Sequence, residues 1–121
     1  MRRLAILLIV VFVAACESMK PAPVGQYVLF FRTNEAVLTP EAKEIVGRIV
    51  KAAQERHPAR IVVEGKADGN TPHDQELADK RAGAAVKALV EGGIDTKFIE
   101  SHASTTTETG VAAHQVVVRF E

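Results

Sequence analysis

The stretch Val63–Val86, VEGKADGNTPHDQELADKRAGAAV, holds the residue types best suited to chemistry. Gly65, Asp68, Gly69 and Asn70 crowd together after an apolar run, and a helix-like segment carrying Arg81 follows. An acidic, glycine-rich loop feeding a helix suits a small charged ligand. An ordinary strand-to-helix turn has the same look. In that case Asp68 pairs with Arg81, or with Lys66 two residues away, and ties loop to helix for roughly 0–1 kcal/mol. Gly65-Lys66 is no phosphate loop, which needs Gly where Arg60 stands and Ser or Thr where Ala67 stands. His73 and Glu76 have the spacing of two helical metal ligands, but no further paired ligands accompany them and they read as solvated. His102 and His114 would meet only if their strands were neighbours, and they read as pairing or loop residues. Ser104–Thr107 has no activating base nearby in sequence, and no Ser/His/Asp or Cys/His arrangement emerges. The sequence therefore calls for no metal, no cofactor and no catalysed reaction.

The elements that must position Asp68 and Arg81 follow from periodicity. YVLFF from Tyr27 reads as a strand. Thr39-Pro40-Glu41 reads as N-cap, first-turn proline and first-turn acid, opening a helix with a stripe of Ile45, Val46, Ile49, Val50 and Ala53. His57-Pro58 stops it. Ile61-Val62-Val63 is apolar on both faces, as an inner strand is, and Gly65–Asn70 is the turn that follows. Thr71-Pro72-His73-Asp74 starts a second helix, with Asp74 spaced for a capping box. Leu77, Ala82, Ala85, Val86, Leu89 and Val90 face its core, and Gly92-Gly93 ends it. Ile99–Ala103 reads as a strand, 104–113 as a polar loop, and Val116-Val117-Val118 with Phe120 as the closing strand. The order βαβαββ predicts an α/β (α+β) two-layer sandwich, with two helices on one face of a mixed sheet. The first βαβ crossover should be parallel and right-handed.

The N-terminus is of another kind. Arg2-Arg3 precede twelve unbroken apolar residues, Leu4–Ala15, too few to span a bilayer, and small residues lead into Cys16, the only cysteine. This looks like a bacterial lipoprotein signal, residues 1–15, with Cys16 as the lipidated first mature residue. The acyl chains that the resemblance implies would make a stable anchor, since one chain alone holds marginally. Glu17, rather than Asp, leans toward the outer membrane. A lone cysteine makes no internal disulfide. Residues 16–26, with Pro21, Pro23 and Gly25, read as a tether, and ten coil residues reach roughly 17–19 Å. Without Arg2 and Arg3 the mature chain has 13 basic against 15 acidic residues, net −2, with no basic patch for nucleic acid. The remaining domain, residues 27–121, is large enough to bury roughly 60–65% of its unfolded surface and fold alone.

From Tyr27 to Glu121 the chain resembles the OmpA-like C-terminal domain, shared by peptidoglycan-associated lipoproteins and outer-membrane porin tails. The matching pieces run in order: Phe30-Phe31, Asn34-Glu35-Ala36, Leu38-Thr39-Pro40-Glu41-Ala42, Ile61-Val62-Val63-Glu64-Gly65, Asp68-Gly69, Leu77, Arg81-Ala82, Val86, Leu89 and Gly93-Ile94. The resemblance implies non-covalent binding of the peptidoglycan stem peptide at the side-chain end of meso-diaminopimelate, an ammonium beside a carboxylate. Asp68 then takes the ammonium and Arg81 the carboxylate, which a planar guanidinium can grip bidentately. Thr71, Asp74 and Leu77 complete the site, and free N–H groups at the helix start add positive potential. This chain departs from the family at several places. Gly65-Lys66-Ala67-Asp68 stands for Gly-His-Thr-Asp, the loop before the helix is shorter, and Asp74 and Leu77-Ala78 stand for Asn and Leu-Ser. Ala113-His114-Gln115 stands for Asn-Arg-Arg, and Ser101 and Ala103 for glycines.

The reading that follows is a non-catalytic outer-membrane lipoprotein, anchored by lipid on Cys16, whose periplasmic domain tethers the membrane to peptidoglycan. The alternative is a divergent interaction module that no longer binds the wall and recruits an envelope protein. An enzyme acting on peptidoglycan is the third class, disfavoured because no paired catalytic groups are visible.

Overall fold

The computed structural model describes residues 25–69, 71–106 and 111–121. The signal segment, Cys16 and most of the tether lie outside the described residues. Six main elements follow in order: β1 (Gln26–Phe30), α1 (Pro40–Arg56), β2 (Ile61–Asp68), α2 (Pro72–Glu91), β3 (Ile99–Thr106) and β4 (Gln115–Phe120). Short 3₁₀ turns, Thr96–Phe98 and Val111–His114, lead into β3 and β4.

The strands form one sheet in the order β1-β4-β2-β3. β4 is antiparallel to both β1 and β2, and β2 is parallel to β3. β1 and β2 therefore run parallel, as the crossover predicts, but β4 lies between them. β2 is an inner strand, as its apolar start implied. Register places Gln26, Arg119 and Val62 in one row at one pole of the sheet. Phe30 and Gln115 pair toward the opposite pole, where β2 and β3 end at Asp68 and Thr106.

Alternation sends Leu29, Ile61, Val63, Val116 and Val118 to one face, where they meet Val46, Ile49 and Val50 of α1 and Ala82, Ala85 and Leu89 of α2. Both helix starts are as read. The Thr39 side chain accepts from Ala42 N–H, and Thr71 and Asp74 form a reciprocal capping box. His57 ends α1 in a left-handed conformation, φ 49°.

Four local expectations change. Gly65–Asn70 is not a turn throughout, because β2 continues to Asp68 with Gly65 and Ala67 buried. β3 extends past Ala103 to Thr106, its polar residues held by parallel pairing with β2 along its whole length. The expected loop 104–113 accordingly contains strand at its start and a 3₁₀ turn at its end, while residues 107–110 lie outside the described residues. Val90 is 39% exposed rather than core, and Ala78 and Arg81 take buried places on α2 instead.

Candidate functional site

The site is built where β2 ends. Gly65 sets its depth: a Cβ there would sit 2.3 Å from Ala78 O and 2.8 Å from Ala82 Cβ, so only glycine lets α2 lie this close to β2. Ala67, Leu77 and Ala78 then close a small apolar cluster of their own. Leu77 is thus part of the packing beneath the site rather than a polar contact. Ala67 points under α2, so Asp68, the next residue, turns the other way and leaves 51% of its side chain in water. Its neighbour Gly69 has φ 97° and donates its N–H to Thr106 O at 3.2 Å.

Thr71 and Asp74 are occupied with each other. Asp74 Oδ2 accepts from Thr71 N–H at 3.0 Å and from Thr71 Oγ1 at 2.7 Å, and Thr71 Oγ1 accepts from Asp74 N–H at 3.2 Å. These bonds to Thr71 hold the Asp74 carboxyl below its ordinary value, with nearby His73 adding a little. The carboxylate folds back so far that a Cβ on Gly69 would meet Asp74 Oδ2 at 2.3 Å.

Arg81 is fully buried, at 0% exposure. Nε–H donates to Glu35 O at 2.9 Å and Nη2 to Arg32 O at 3.1 Å, both on the loop after β1. Nη1 donates to Lys66 O at 2.9 Å and to Ala113 O at 3.3 Å. The guanidinium carbon lies 5.7 Å from the centre of the Phe31 ring, a cation–π contact. Phe31 N–H in turn donates to His114 O at 2.7 Å. One side chain on α2 therefore gathers the loop after β1, the strand β2 and the turn before β4. Burial lowers the Arg81 pKa, and the charge of Asp68 opposes that shift. Asp68 and Arg81 belong to one electrostatic neighbourhood but make no ion pair. Lys66 does not pair with Asp68 either. Among the described residues, the basic side chain within 4 Å of the Asp68 carboxylate is His114, whose Nε2 lies 3.9 Å from Oδ1.

Sequence reasoning left His114 as a pairing or loop residue and gave no sign of the carbonyl cage. The signal for burial of Arg81 was present, because it follows Leu77 by four positions and precedes Ala85 by four on the apolar face of α2. His102 and His114 do not meet, since β2 separates their strands and His102 pairs with Glu100 at 2.8 Å. Glu76 pairs with Lys80 at 3.0 Å, and with His73, Asn34 and Glu35 these residues line a cleft of about 580 Å³ beside the site. No group of three or more metal-ligating side chains occurs among the described residues.

The profile of the OmpA family matches residues 30–118. The chain belongs to the OmpA family. A curated relative, an outer membrane protein of Gluconacetobacter diazotrophicus, is 31% identical over 90 residues, 68% of this chain. The match spans only 24% of that longer protein. The OmpA-like domain of FopA1 from Francisella tularensis superposes with a TM-score of 0.69 at 18% identity, covering 79% of this chain and 73% of that one. The peptidoglycan-associated lipoprotein of Burkholderia pseudomallei gives 0.68 at 14% identity, covering 78% and 89%. The periplasmic domain of Helicobacter pylori MotB gives 0.60 at 19% identity, covering 81% and 77%. At these identities the three structures show the OmpA-family fold alone.

Proposed function

We propose that this OmpA-family domain binds the stem peptide of peptidoglycan and that the chain is a non-catalytic lipoprotein tethering the outer membrane to the wall. In this reading residues 1–15 are the signal peptide, Cys16 carries lipid, residues 16–26 are the tether and residues 27–121 face the periplasm. The observation that carries it is the water-facing carboxylate of Asp68 at the end of β2, with the buried Arg81 charge behind it. A half-exposed carboxylate suits the ammonium end of diaminopimelate, and the Arg81 bonds beneath it hold β2 and the neighbouring loops in place. Thr71, Asp74 and Leu77 shape the rim and the packing beneath. The likeness to a peptidoglycan-associated lipoprotein is consistent with this.

One observation favours the second reading, an interaction module that recruits an envelope protein. The Arg81 guanidinium is already engaged by four backbone carbonyls.

The test is co-sedimentation of the full chain, in detergent, with purified sacculi of the diaminopimelate type. Wild type should pellet, and Asp68→Ala should bind at least about tenfold more weakly, about 1.4 kcal/mol. Equal pelleting of the two would remove Asp68 from the site. No pelleting by either folded protein would turn the search to a protein partner. Loss of membrane retention in Cys16→Ser tests the anchor separately.

A further inference from the structure

The state of Arg81 bears on which stem peptides the site accepts, an inference that rests on the wall-binding reading above. A guanidinium has five N–H donors in a fixed fork, and it grips a carboxylate by presenting two parallel N–H groups along one edge. The edge formed by Nε and Nη2 is committed to Glu35 O and Arg32 O. Nη1 spends its two donors on Lys66 O and Ala113 O. No edge keeps two free donors, and the whole side chain is out of reach of water. A ligand carboxylate can be gripped there only by breaking backbone bonds that hold three segments in place. The other basic groups are poor substitutes. His114 already leans on Asp68 at 3.9 Å, and Lys66, two residues back on the strand, offers a mobile point charge worth little in water. The Asp68 carboxylate, by contrast, is half in water and meets no Lys or Arg partner. We propose that the site recognises the ammonium of the stem peptide and is nearly indifferent to the neighbouring carboxylate. It would then take amidated diaminopimelate and lysine-type stems as well as the free-acid form.

The experiment titrates the full chain in detergent with three soluble stem peptides of equal length. One ends in meso-diaminopimelate, the second in its side-chain amide, the third in lysine, which keeps the ammonium and lacks the carboxylate. The expected result is three Kd values within about threefold of one another, all weakened alike, by tenfold or more, in Asp68→Asn. A tenfold or greater preference for the free acid would overturn the proposal while leaving the wall-binding function intact. Failure of all three to bind a protein that is folded by circular dichroism would overturn both.

Discussion

A single missing methyl decides how closely α2 approaches the sheet. The Cβ of an alanine at position 65 would lie 2.3 Å from a backbone oxygen of α2, which cannot swing aside as a side chain would. Gly65→Ala should therefore destabilise the domain by about 1–3 kcal/mol, measured as a lower urea midpoint with an unchanged m-value. An unaltered midpoint would mean that α2 moves away freely. The same spacing explains why Arg81 is deep enough to reach four carbonyls. Asp68 and Arg81 stood out in the sequence as charged residues flanking a strand-to-helix turn, but the environment of each was not legible. The residue types fit a ligand clamp, whereas the carbonyls that fill the guanidinium belong to positions 32, 35, 66 and 113. Backbone acceptors leave no mark in a sequence, and all four become neighbours of Arg81 only through the tertiary fold. The approach of His114 to Asp68 likewise depends on the fold, which lays β4 beside β2.

At the scale of elements, both helices hold places where stability can be gained or lost. Gly47 in α1 and Gly83 in α2 are exposed, and a Cβ at either meets nothing within 4 Å. Gly47→Ala and Gly83→Ala should each stabilise by about 0.5–1 kcal/mol, through helix propensity alone, seen as a raised Tm. The α2 start should respond to pH. In the folded chain the Asp74 pKa lies below its ordinary value, near 3.9 in a free chain, because Thr71 donates to the ionised form. The folded state then binds fewer protons, so this stabilisation is full above the ordinary value and fades as pH falls through the lower folded value. The Tm gap between wild type and Asp74→Ala should be largest at neutral pH and shrink in acid. A gap that persists into strong acid would mean that the carboxylate charge does not hold the cap. Both helices and their caps were readable because proline, threonine and acid positions act locally. The strands β2 and β3 were read short because Gly65, Ala67 and the run Ser104–Thr106 lack the apolar alternation that marks a strand. Their pairing with each other, not their composition, keeps them extended.

At the scale of the whole molecule, the sheet has two poles. The candidate site lies at one, where β2 and β3 end. At the other, Phe120 N–H donates to Gly25 O at 2.7 Å, and Arg60 and Glu121 exchange backbone bonds at 3.0 and 2.8 Å. Gly25 thus lies at the pole opposite Asp68, about 23 Å away along the strand direction, the seven steps from Ile61 to Asp68. If the two poles are pulled apart, the load runs parallel to the strands. Every hydrogen bond between β1 and β4, and between β4 and β2, must then yield together in shear. Load applied through Gly25 and Glu121 instead enters at one pole, where β1 peels from β4 one bond at a time. In single-molecule stretching, rupture between the N-terminus and a handle at Lys66→Cys should need a higher force than rupture between the N- and C-termini. Equal forces would mean that the sheet does not carry the load. A domain wired in this way resists force best along its strands, the direction in which the proposed tether would be loaded as membrane and wall separate.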